Sequence, residues 1–148
     1  MEEVASELGA EADELINGFF RDHKFLNEGT RAALQAPDRK YPPLPPEYDG
    51  RLFDWLTLLL DRAHAERAWP VILELVARAP TAEALGFVGA AALEELVNDF
   101  GPQFEARILD QAEHDARFRE ALSGVWPQED APESLVKAIE AAADERAR

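Results

Sequence analysis

The chain has 148 residues, 47% of them apolar, 30% charged and none of them cysteine; that is the composition of one folded domain, and it excludes disulfides, thiol catalysis and cysteine-held zinc or iron–sulfur centres. The formal net charge is −15, from 30 acidic and 15 basic side chains spread along the chain, so direct nucleic-acid binding and adsorption to an anionic membrane are disfavoured for want of a cation surplus. No basic segment leads into an apolar run and no stretch reaches the ~20 apolar residues of a membrane span, so a cytoplasmic protein is expected.

Residues 2–14 are acidic and rich in good helix formers. Val4, Leu8, Leu15, Ile16, Phe19 and Phe20 can line one face of a helix running to about His23. A second, shorter helix is expected between Asn27 and Leu34. From Pro37 to Gly50 the sequence PDRKYPPLPPEYDG holds five prolines, which forbid regular helix or sheet and favour extended backbone. We read residues 37–50 as an ordered surface crossing, with Tyr41, Leu44 and Tyr48 as anchors. A rigid connector explains it better than a ligand for a proline-recognition domain, because core-forming helices frame it on both sides.

Arg51 to Ala65 is the most apolar helix, with Leu52, Phe53, Trp55, Leu56 and Leu58 to Leu60 covering most of its circumference, so it is expected to be central. The next helix spans Glu66 to Ala79 and carries Trp69, Ile72, Leu75 and Val76, with Pro70 near its beginning. Thr81 is a good N-cap for a short helix from Ala82 to Val88. Gly89 then marks a bend or a point of close packing.

Leu85 to Trp126 reads as the framework: three helical segments separated by two turns. Leu93, Leu96, Val97 and Phe100 recur at helical spacing, and Gly101-Pro102 ends one helix and opens the next. Phe104, Ile108 and Ala112 continue the apolar face. Asp115 is an N-cap for a third helix with Phe118, Ala121, Leu122 and Val125 as its stripe, and Pro127 stops it. Beyond the acidic linker QEDAPES, a final helix begins near Pro132 and fades into a charged tail at about 142–148. No run alternates as a strand does. The expected fold is a single all-α domain over 1–148, a compact bundle of about seven or eight short helices, with repeat-like hairpins in the C-terminal half.

The segments ERAWPVILELVARAP at 66–80, ALGFVGAAALEELV at 84–97 and the FGPQFEARILDQAEHDARFREALSGVW after them resemble an uncharacterised bacterial family of all-α domains. The resemblance covers roughly residues 50–127 and is most specific at RFREALSGVW. Where family members often carry Gly-Pro before the position of Leu93-Glu94, this chain has Ala91-Ala92. The resemblance implies a bacterial, intracellular helical domain and brings no catalytic residue with it.

The motifs of common chemistries are missing. No Glu-x-x-His pair, His-Glu-x-x-His run, Gly-x-Ser-x-Gly elbow or phosphate-binding glycine loop occurs. Asp61 and His64, and Asp110 and His114, have helical spacing, but neither pair makes a metal site alone, so no metal, cofactor or catalytic residue is assigned. Glu94 and Glu95 are adjacent and so ~100° apart on a helix, a solvated face rather than a catalytic pair. Arg107, Arg117 and Arg119 could grip a phosphate or carboxylate; pairing with Glu113, Glu120 or Asp99 is the simpler reading. Trp55, Trp69 and Trp126 are expected in the core, and any one found exposed becomes the leading interface candidate.

These readings favour a non-catalytic acidic module that captures a basic protein partner, a toxin-neutralising immunity protein being the concrete version. The surface assigned to it comprises Glu94, Glu95, Asp99, Arg107, Arg117, Arg119, Tyr41 and Tyr48. An acidic exterior that serves solubility alone is the plainer alternative. An enzyme with dispersed carboxylates and histidines and a DNA-mimicking inhibitor stay open.

Overall fold

In the computed structural model, the described residues are 12–40, 43, 46, 50–52, 54, 56 and 65–147, and among them every regular element is helical. Helix α1 runs Ala12–Gln35, α2 Ala65–Arg78 and α3 Ala82–Val88. A π-helical turn, Gly89–Leu93, joins α3 to α4, Glu94–His114; then come α5, Ala116–Leu122, and α6, Glu133–Ala147. The all-α class holds. The helices number fewer than seven or eight among the described residues: one expected break does not occur, and most of the helix expected over 51–65 lies outside those residues.

The missing break is at 24–26. Lys24, Phe25 and Leu26 contain no breaker, so one helix spans both expected segments. At Gly101-Pro102 the expected break is present as a kink, without the loop of two to five residues that a hairpin would need. The backbone leaves helical geometry at Phe100 (φ −130°, ψ 18°), and two helical segments of α4 meet there. Pro102 removes one amide and the chain kinks around it. Gly101 does not adopt the left-handed backbone that often follows a helix end; among the described glycines only Gly50 has positive φ, at 73°. Gly101 is small for packing, since a Cβ there would lie 2.6 Å from Pro132 Cδ at the start of α6.

The capping residues sit as expected. Thr81 accepts the Ala84 amide at 3.0 Å. Asp115 Oδ1 accepts the amides of Arg117 and Phe118 at 3.0 and 3.2 Å. Those bonds turn the chain sharply into α5, which packs on α2, α3, the π-turn, α4 and α6 and so forms the hub. Phe118, Ala121 and Leu122 are fully buried there. Gly89 crosses the hub so closely that a Cβ would stand 2.0 Å from the Ala121 carbonyl oxygen. The wide turn begins at that contact, and the Glu94 amide donates five residues back to Gly89.

Residues 51, 52, 54 and 56 are helical, and Leu52 and Leu56 join the core. Trp55 and Leu58 to Leu60 lie outside the described residues. The Asp22 carboxylate is buried on α1 and accepts the Gly50 amide at 2.6 Å, tying the start of that turn to α1. At the far end α6 does not fade at 142. It runs to Ala147, with Ala142 buried and Glu145 bonded to Arg119. No helix among the described residues is long and apolar enough to cross a membrane.

Candidate functional site: a tryptophan held outward by α4

The end of the framework departs most from expectation. Trp69 packs as foreseen, its ring 5.6 Å from Phe104 and 6.0 Å from Phe118. Trp126 does not; it is 81% exposed. Past the helix end, side chains of an extended chain point alternately to opposite sides. Val125 takes the inward place at 4% exposure, and Trp126 is turned to solvent.

Its backbone is nonetheless fixed. The Trp126 amide donates to Glu94 Oε1 at 2.8 Å. Asn98 Nδ2 donates to the Trp126 carbonyl at 3.1 Å, and Asn98 Oδ1 accepts the Gln128 amide at 2.8 Å. An extended strand presents the N–H and C=O of one residue and the N–H of the second next along the same edge. Glu94 and Asn98, four apart on one face of α4, satisfy that edge as a neighbouring strand would. Pro127 interrupts nothing, because its absent amide belongs to the opposite edge, and a proline holds the residue before it extended.

The surroundings are acidic. Residues 94–106 and 120–136, which supply both halves of this clamp, contain eight carboxylates and no Lys or Arg. Asp99, Glu129 and Asp130 are exposed. Glu95 is half-buried and engaged with a neighbour.

The three arginines are not part of this surface, and their partners differ from those expected. Arg107 makes a two-pronged bond to Glu66 on α2, both contacts at 2.6 Å, with its guanidinium 4.0 Å from the Phe104 ring centre. That pairing, aided by Gln103, holds the Glu66 carboxyl down at about 2. Arg117 reaches the C-terminus of α2, donating to the carbonyls of Val76 at 3.2 Å and Ala79 at 2.7 Å. Arg119 joins Glu145 to the Ala112 carbonyl. All three join helices to one another. Tyr41 and Tyr48 lie outside the described residues, as do Asp61 and His64.

On the exposed last turn of α4, Asp110, Glu113 and His114 bring their ligand atoms within 4.8 Å of one another. Spacings of three and four produce this on any helical turn, and His114 Nδ1 already lies 2.8 Å from the Asp110 carbonyl.

The Trp126 clamp had a readable signal. A tryptophan immediately before proline implies extended backbone, and Glu94 and Asn98 share a helix face. What the sequence does not carry is their long-range pairing with residues about thirty positions away.

Compared with known proteins, no curated protein and no solved structure matches the chain. A family described as a family of unknown function, DUF6869, matches residues 45–147, and the chain belongs to it. The match extends past the segments quoted above, through α6.

Proposed function

We propose that this DUF6869 member is a non-catalytic protein-binding module that captures a basic partner on the face bearing Trp126. One observation carries the reading: a large aromatic is held outward on a backbone fixed by three hydrogen bonds, within an all-acidic stretch. A fixed backbone removes much of the ordering cost of an interface residue. Tryptophan is the residue type most enriched among those that dominate binding, and its face attracts Lys and Arg. The carboxylates around it steer a cationic partner and reject an acidic one. In its concrete form the partner is a toxin and this chain a bacterial, cytoplasmic immunity protein.

The test is residue-specific cross-linking. A photoreactive phenylalanine analogue at position 126 should join a basic protein in the native host, and the same analogue at exposed Glu140 on α6 should not. No adduct at 126, or adducts only with acidic proteins, would refute the reading.

A further inference from the structure

A groove of about 420 Å³ runs between α1 and the first residues of α3, far in sequence from Trp126. Its volume suits a small molecule. Phe20, Pro80 and Ala84 give it an apolar lining, and the His23 ring lies stacked on Phe87 with centres 4.6 Å apart. Its rim carries three cations, Arg21, Lys24 and Arg31, and two carboxylates, Glu28 and Glu83. Glu83 on the α3 side is already engaged, by Asn27 at 3.2 Å and Arg31 at 3.9 Å. Arg21 and Lys24, three apart on α1, are exposed and have no acceptor among the described residues. Elsewhere Arg51, Arg78, Arg107 and Arg119 each bond a carboxylate.

We propose that this groove binds a small organic anion with an apolar body, such as an aryl or acyl carboxylate or sulfonate. Two cations with no acceptor among the described residues, beside an apolar lining, complement that chemistry. The apolar body displaces water from Phe20 and Pro80, and Arg21 and Lys24 receive the charge at the rim. Three rim cations face only two carboxylates, Glu28 and Glu83, in a chain of net charge −15. Burial pushes the His23 imidazole down, against the opposing pull of Glu83, so the ring meets the ligand as an uncharged plate. The site is independent of the Trp126 surface, and either can fail alone.

The test uses two fluorescent probes with one ring system: 8-anilinonaphthalene-1-sulfonate, which carries the anion, and N-phenyl-1-naphthylamine, which does not. The sulfonate should bind the wild-type protein saturably at one site, at least tenfold more tightly than the neutral amine. The double variant Arg21→Ala/Lys24→Ala should lose at least tenfold in sulfonate affinity and little in amine affinity, with an unchanged circular dichroism spectrum. Trp126→Ala should leave both unchanged. Equal affinity for the two probes, an unaffected double variant, or loss of binding on Trp126→Ala would each overturn the proposal.

Discussion

Glu94 Oε1 accepts the backbone amide of Trp126 at 2.8 Å, so an early carboxylate of α4 fixes the position of an indole that touches almost nothing. The bond separates two properties usually joined in a tryptophan. The side chain contributes little to folding, and the backbone that carries it is part of the fold.

Trp126→Ala should therefore change unfolding free energy by less than about 0.5 kcal/mol, as surface substitutions do. Asn98→Ala removes two hydrogen bonds to the same segment and should cost about 1 to 2 kcal/mol. Urea unfolding of both variants checks this. A larger loss from Trp126→Ala than from Asn98→Ala would mean that the indole is buried.

Gly89→Ala places a methyl where the Ala121 carbonyl oxygen already stands. Neither partner is a flexible side-chain end, so the π-turn and α5 must part. The expected cost is about 3 kcal/mol, at the upper end for overpacking. Gly86→Ala is the control, because nothing lies within 4 Å of a Cβ there, and it should be neutral or slightly stabilising. Thermal melts of the two variants decide the point.

Arg117 closes the C-terminus of α2 with two donors to carbonyls three residues apart. Arg117→Met keeps the aliphatic stem and leaves those carbonyls unpaired, at about 1 to 2 kcal/mol. Arg117→Lys keeps the charge but not the fork, and should recover only part of the loss. Amide exchange near Val76 and Ala79 should quicken in both variants.

The two described histidines should titrate on opposite sides of 6.5. Burial lowers His23, so its contribution to stability is complete above 6.5 and is lost as pH falls through its folded value. The Asp110 carbonyl, then the Asp110 carboxylate, raise His114, so its contribution is complete below 6.5 and is lost as pH rises through its folded value. Proton NMR of the two imidazoles reads both, and a shared midpoint would contradict the geometry. The coupling of Glu66 to Arg107, about 0.5 kcal/mol for so exposed a pair, should be complete above about 4.5 and fade as pH falls toward about 2. A double-mutant cycle at pH 7 and pH 2 measures it.

Much of the fold was legible because helical spacing and capping chemistry are local. Thr81 and Asp115 cap the helices expected of them, and Leu96, Val97, Phe104, Ile108, Phe118 and Leu122 are buried as their periodicity requires. The errors lay where a local signal had two outcomes. Gly101-Pro102 can join two helices by a hairpin loop or by a kink, and the residues themselves allow both. Trp126 lies next to Val125, and extended backbone admits only one of the two into the core. The arginine partners were illegible for a related reason. Arg107 and Arg117 each reach across to α2, 41 and 38 residues away, to Glu66 and the Ala79 carbonyl, where charge spacing along one helix gives no guidance.

In the proposed function, Trp126 anchors capture of a basic partner. The direct measurement is the dissociation constant of the cross-linked partner for wild-type protein and for Trp126→Ala, taken at 50 and 300 mM salt. We expect Trp126→Ala to weaken binding at least about thirtyfold, or about 2 kcal/mol, at an unchanged melting temperature. Wild-type affinity should also fall as salt rises. Dissociation constants within twofold of each other at both salt concentrations would contradict the account.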